Sequence, residues 1–177
     1  MSDNLSANQL LRYQSLNFYR EDMEQITEVL QEFLSKSGAI SCLMIDVDGH
    51  LVTKQGDVPN MDGNAMAALT AGSFASTREV ARQLGDEEFK VLFHQGAGHS
   101  IHVTLVAERT LQVAVFDSVK TKAGMVHVLA KELAGKLETL LLAIDERQAS
   151  EGQSTEQFEA GFSDDMKNKL DDMFGGL

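Results

Sequence analysis

FKVLFHQGAGHSIHVTLVAERTLQVAVFD, residues 89–117, decides how the chain folds. Phe89, Val91 and Phe93, then Ile101, Val103 and Leu105, then Leu111, Val113 and Val115 recur at every second position, the period of a strand with one buried face. Gly96-Ala97-Gly98 and Glu108-Arg109 separate the three runs, so the stretch predicts a meander of three strands.

Upstream the period changes. Gly63 to Leu84 runs without a breaker other than Gly72, with Pro59-Asn60 before it, Asp62 placed to cap it and Gly85 closing it, which predicts a helix. Its middle is made of small residues, among them Ala68, Ala71, Gly72 and Ala75, whose spacing is expected to put them on one face. A face that small lets another backbone approach closely. Before it, Ala39 to Ile45 is a short apolar run, Asp48-Gly49 a turn signal and Leu51 to Gln55 a weak alternation, together a hairpin. Phe18 to Ser35 carries Met23, Ile26, Val29, Leu30, Phe33 and Leu34 at spacings of three and four, a helix ended by Gly38. Downstream, Met125 to Ile144 returns to the same spacing as a third helix. The predicted order is α-β-β-α-β-β-β-α.

The remaining segments are of another kind. Residues 1–17 form an extension with Leu5, Leu10, Leu11 and Leu16, and 145–161 is rich in Glu, Gln, Ser and Gly, which predicts a solvated acidic linker. From 162 to 177, Phe162, Met166, Leu170, Met173 and Phe174 share one face of a C-terminal amphipathic helix that has no core of its own and is expected to dock in a partner's groove.

The 177 residues suit one cored domain with appendages. Fifteen Lys and Arg against 27 Asp and Glu give a net charge of -12, which repels phosphate backbones and anionic lipid and so excludes nucleic acid and membrane as partners. Residues 145–177 hold 3 basic and 9 acidic groups, hence -6, half of the total. No apolar run reaches a membrane-spanning length and the start shows no leader pattern, so a cytoplasmic protein is expected.

Candidate chemistry is sparse. Asp46-Val47-Asp48-Gly49 matches the D-x-D-G pattern of haloacid-dehalogenase phosphatases, in which Asp46 would attack a phosphoryl group and Asp48 act as acid and base beside Mg2+. The same residues are what a tight hairpin turn requires, and no later acidic pair follows an apolar strand, so the turn reading outweighs the phosphatase. His94, His99 and His102 cluster around the glycine loop, with His94 and His102 expected diagonally on one face. They lack a further ligand at suitable spacing, so no metal and no cofactor are expected. Arg78, Arg82 and Arg109 are read as solvated charges, with Arg82 placed to pair with Asp86. Cys42, inside an apolar run, is read as buried and inert.

The element order, with Leu69-Thr70-Ala71-Gly72 in the second helix, Phe93-His94-Gln95-Gly96, and Val113-Ala114-Val115-Phe116-Asp117 before the last helix, resembles the Roadblock/LC7 family over about residues 18–144. The acidic tail with Phe158 and Asp171-Asp172-Met173-Phe174 is similar to that of its gliding-motility branch. The resemblance implies a profilin-like α/β sandwich, a five-stranded antiparallel sheet with helices on both faces. It further implies a homodimer that binds a Ras-like small GTPase of the MglA type in cell polarity or motility, at the cytoplasm or a cell pole. Such a dimer speeds GTP hydrolysis by repositioning the GTPase's own switch regions and arginine, and has no catalytic residue of its own. Carried over by position, Ala68, Leu69, Thr70, Ala71, Gly72 and Ala75 would face the GTPase, and the tail helix would dock at a second site on it. A non-catalytic Roadblock adaptor is the alternative.

Overall fold

The computed structural model describes residues 18–174, with side-chain surroundings over 18–150. Eight elements follow in the predicted order: α1 (Arg20–Ser37), β1 (Ser41–Asp46), β2 (Leu51–Gly56), α2 (Gly63–Gln83), β3 (Val91–Gln95), β4 (His99–Val106), β5 (Thr110–Asp117) and α3 (Ala123–Phe174). All strand pairs are antiparallel, in the order β2-β1-β5-β4-β3. The meander therefore supplies one side of the sheet, and the β1–β2 hairpin joins it on the free edge of β5.

Local signals set the element ends. The Asp22 carboxylate accepts the Tyr19 N–H at 2.8 Å at the start of α1, and Gly38 ends that helix in the left-handed conformation at φ 68°. The β4–β5 connection is a three-residue turn, Ala107 to Arg109, in which Ala107 and Glu108 both take positive φ.

Alternation sorts the sheet into two faces. One carries Leu43, Ile45, Val103, Leu105, Leu111, Val113 and Val115, packed with Ala67, Ala71 and Phe74 of α2. The other carries Cys42, Met44, Gln112, Ala114, Phe116 and His102, all nearly or fully buried. Helices α1 and α3 cover that second face side by side, joined by Lys136 Nζ to Glu32 at 2.7 Å, and the segments just outside them are joined by Thr121 Oγ1 donating to the Gly38 carbonyl at 3.1 Å. Ile26, Leu30 and Phe33 of α1 and Val126, Ala130, Leu133 and Leu137 of α3 are buried in this layer. Fully burying a large apolar side chain is worth roughly 1.5–3 kcal/mol relative to exposure, so these residues together dominate the adhesion of the two helices.

Phe89 precedes β3 instead of alternating with Val91 and Phe93; its ring packs on Phe74 of α2 at 5.2 Å, whereas Phe93 stacks on Phe116 across the sheet at 6.1 Å. At 145–161 the backbone is helical, a continuation of α3. Its composition permits this: no proline interrupts the segment, and Glu, Gln and Ala are good helix formers despite Gly152 and Gly161. Two compact units divide the chain at Leu140/Leu141. The extension 1–17 lies outside the described residues, as do the side chains of Phe162, Met166, Leu170, Met173 and Phe174, whose backbone is helical through Phe174.

Candidate functional site

Helix α2 is the site the sequence singles out, and it begins as expected. Asp62 caps it, its Oδ1 accepting the N–H groups of Asn64 at 2.9 Å and Ala65 at 3.3 Å. Toward the sheet it presents Ala67, Thr70, Ala71, Phe74 and Ala81, each separated from another by three, four or seven residues. Away from it stand Leu69, Val80 and Leu84, which are 73%, 57% and 78% exposed, with Gly72, Ala75 and Ser76 between them and Ala68 beside them.

The expected single small face is thus corrected. Thr70 and Ala71 are buried against the sheet, while Ala68, Leu69, Gly72 and Ala75 are exposed, because Ala71 and Gly72 are adjacent and lie about 100° apart around the axis. The small residues serve two purposes. Inward, Ala67 and Ala71 let the helix sit close to the strands. At one end, a Cβ on Gly49 would come within 2.9 Å of the Ala68 backbone, so the β1–β2 turn and the helix approach each other only with glycine there. Outward, nothing lies within 4 Å of a Cβ built on Gly72, which leaves a shallow ridge flanked by large apolar side chains. Val80 and Leu84 belong to that ridge, although the small-residue signal drew attention only to the middle of the helix.

The other candidates resolve into structural roles. Asp46 is buried, its Oδ1 accepting the His50 N–H and its Oδ2 contacting His50 Nδ1, both at 2.7 Å, while the Gly49 N–H reaches the Asp46 carbonyl at 3.1 Å. Both carboxylate oxygens are therefore engaged in the turn, which favours the turn reading over a phosphoryl nucleophile. Arg82 pairs with Glu79 at 3.0 Å and not with Asp86, and both partners are more than half exposed, which makes the pair weak. Arg78 and Arg82 border a cleft of about 270 Å³ shared with Lys90, Glu87, Glu88 and Glu108, a mixed-sign lining with no excess of positive charge. Arg109 is half-buried, and its carbonyl accepts the Val47 N–H at 3.1 Å.

Cys42 is fully buried, and burial pushes its thiol up to about 12, so it stays protonated. The histidine grouping is also corrected. His94 pairs with Ile101 and His102 with Phe93, which puts His94 and His102 on opposite faces of the sheet. His102 points under α3 and meets His127, a contact no local spacing reveals.

A meander with a hairpin on its far edge, one helix on one face and two on the other is the arrangement of the family whose model matches residues 25–116, described as the Roadblock/LC7 domain. The chain belongs to the Roadblock/LC7 family. The match spans from α1 through β5, so both faces of α2 lie inside the Roadblock/LC7 unit and α3 lies beyond it.

Among solved structures, Myxococcus xanthus MglB is similar at 29% identity and a TM-score of 0.67, over 73% of this chain and 96% of that one. The gliding protein MglB from Thermus thermophilus is similar at 30% identity and a TM-score of 0.67, over 73% and 97%. An MglB described with a tetrameric arrangement is 30% identical with a TM-score of 0.69, again over 73% and 97%. No curated protein matches the chain in sequence. Among the described residues, no helix of this Roadblock/LC7 protein is long and apolar enough to cross a membrane, and no group of three or more potential metal ligands occurs.

Proposed function

We propose that this Roadblock/LC7 protein is a homodimeric regulator of a Ras-like small GTPase of the MglA type, raising its rate of GTP hydrolysis in cell polarity or motility. The observation that carries the reading is the outward ridge of α2. Leu69, Val80 and Leu84 stand exposed around Ala68, Gly72 and Ala75, an apolar strip that a monomer gains nothing by showing to water. The likeness to MglB structures over 73% of the chain supports the choice of partner class.

The chemistry asked of such a regulator is modest. Phosphoryl transfer depends on positioning and on charge stabilisation, so a partner that holds a mobile switch segment in its productive place raises the rate without supplying a reacting group. The surroundings of the three arginines singled out in the sequence support a reading without an inserted finger: Arg82 is paired along its own helix, Arg109 is half-buried, and Arg78 borders a cleft rich in carboxylates. The GTPase would then contribute the catalytic groups, and the chain a rigid surface. The C-terminal helical segment, with its acidic and apolar sequence, would add a second docking point and tune the nucleotide state.

The test is single-turnover GTP hydrolysis by the cognate GTPase with the full chain added. Faster hydrolysis supports the proposal, provided Gly72→Arg abolishes the effect while its melting temperature stays at the wild-type value. Binding without any change in rate would instead establish the adaptor reading. Elution at monomer size at working concentration would remove the homodimer.

A further inference from the structure

The start of α3 is basic in an acidic protein. Residues 118–137 hold four Lys and one Glu, a net +3 in a chain of -12. Lys136 is taken up by Glu32 and Glu132, and Lys120 stands 3.5 Å from Asp117. Lys122 and Lys131 are exposed and, among the described residues, have no ion-pair partner. Between them stand Met125 and Val128, 50% and 64% exposed, and just ahead of the helix Val119 is 85% exposed. Lys122, Met125, Val128 and Lys131 recur at every third residue, so they form one oblique row, two apolar side chains with a cation at each end. The Lys122 carbonyl accepts the N–H groups of Met125 at 3.0 Å and Val126 at 3.2 Å, which ties the first lysine to the helix. The row is on the opposite side of the sheet from the α2 ridge.

We propose that this row docks the acidic C-terminal segment of a second copy of the chain. Charge complementarity selects the occupant. Residues 1–17 carry one Asp and one Arg and offer the lysines no net attraction, whereas residues 145–177 hold 9 acidic and 3 basic groups. The apolar pattern agrees with the charge. Phe162, Met166, Leu170 and Phe174 recur at every fourth residue, with Asp164, Asp165, Asp171 and Asp172 among them. A row of every third residue on one helix fits the grooves between rows of every fourth residue on another, the geometry of coiled coils and most four-helix bundles. The aspartates then supply the charges that Lys122 and Lys131 lack.

Each chain carries one row and one acidic segment. Two chains can therefore satisfy both contacts about a single two-fold axis, each giving what it receives. The docking concerns the chain alone and stands whatever the α2 ridge binds.

A carbodiimide, which joins a lysine to a carboxylate in direct contact, tests it on the full chain. Unlabelled and heavy-nitrogen-labelled protein are refolded together, cross-linked and digested, and the linked peptides are read by mass spectrometry. Links from Lys122 and Lys131 to Asp164, Asp165, Asp171 or Asp172 are expected, with mixed-isotope pairs among them. Val128→Asp should lower their yield about 10-fold, and raising the salt to about 1 M should lower it several-fold. Val128 is exposed, so its variant is expected to keep the wild-type Tm. Amide exchange gives a second readout: residues 162–174 should exchange about 10-fold faster in Lys122→Glu/Lys131→Glu than in the wild type. Links confined to single-isotope pairs, equal yields from Lys54 or Lys90, or an unchanged yield in Val128→Asp would overturn the docking. Sedimentation with phosphatidylglycerol vesicles that is lost in Lys131→Glu would assign the row to a lipid surface and overturn it as well.

Discussion

The two faces of the sheet are built on opposite plans. Beneath α1 and α3 the layer is thick, filled by Phe116, Met44, Ile26, Leu30 and Phe33, and it also encloses the polar side chains of Gln112, Thr104 and His102. Beneath α2 the layer is thin, because the helix meets the strands through Ala67, Ala71 and Phe74 and turns Leu69, Val80 and Leu84 outward. One helix cannot cover five strands: Leu92 and Ile101, on the β3 and β4 side of that face, stay half-buried. The face closed by two helices is sealed from water, whereas the face closed by one leaves apolar side chains at its rim and on the helix above it.

The sharpest way to break this comparison is to place a charge on each side of α2. Ala71→Arg buries a cation against Leu43 and Val113 with no partner, and should cost about 3–5 kcal/mol, enough to leave little folded protein in a urea melt. Gly72→Arg, one residue on, should leave the melt unchanged. Equal effects would mean that both sides of the helix are packed in the isolated chain.

Truncation compares the layers more gently. Leu30→Ala should lower stability by about 2–5 kcal/mol, since Leu30 is fully enclosed under the helix pair. Gly49→Ala tests the close approach at the rim. The new methyl would lie 2.9 Å from the Ala68 backbone at a φ of +94°, so a loss of about 1–3 kcal/mol is expected by denaturant unfolding. Leu69→Ala should stay within about 0.5 kcal/mol at monomer concentrations, and its effect should appear instead in partner binding.

Acid should act first on the helix-pair side. The folded pKa of His102 is depressed to about 4 from an ordinary 6.5, so the unfolded chain binds the proton more readily. Stability is then full above pH 6.5 and falls as pH drops toward 4. Glu32, held down to about 2 by Lys136 and Lys36, adds an exposed and therefore small contribution that is present above about 4.5 and lost toward pH 2. Amide exchange measured at pH 7 and pH 5 should show α1 and the start of α3 loosening before α2, and His102→Phe should flatten the upper part of the profile.

Much of the fold could be read without coordinates. The period-two runs after Phe89, the caps at Asp62 and Gly38, and the Asp48-Gly49 turn are local signals, each expressed within a few residues, and the elements they mark are present. The outward part of α2 was legible as far as composition went. Gly72 and Ala75 are exposed as the docking reading requires, but Thr70 and Ala71 are turned inward, since the residues of one helix cannot all face away from the sheet it packs on. At 145–161 the helical backbone was not legible, because the polar helix formers there carry no apolar stripe to reveal it.

What the sequence determined by itself is the order of elements, their approximate ends and the sparse chemistry of the chain, because turn residues and hydrophobic periods act over short separations. The tertiary structure alone decided the pairings. It placed β1 beside β5, aimed His102 at His127 instead of His94, engaged both oxygens of Asp46 in its own turn, and exposed Leu69, Val80 and Leu84 as one ridge. These contacts depend on strand register and on which side of a helix meets the sheet, and both are set by the packing of the whole core at once.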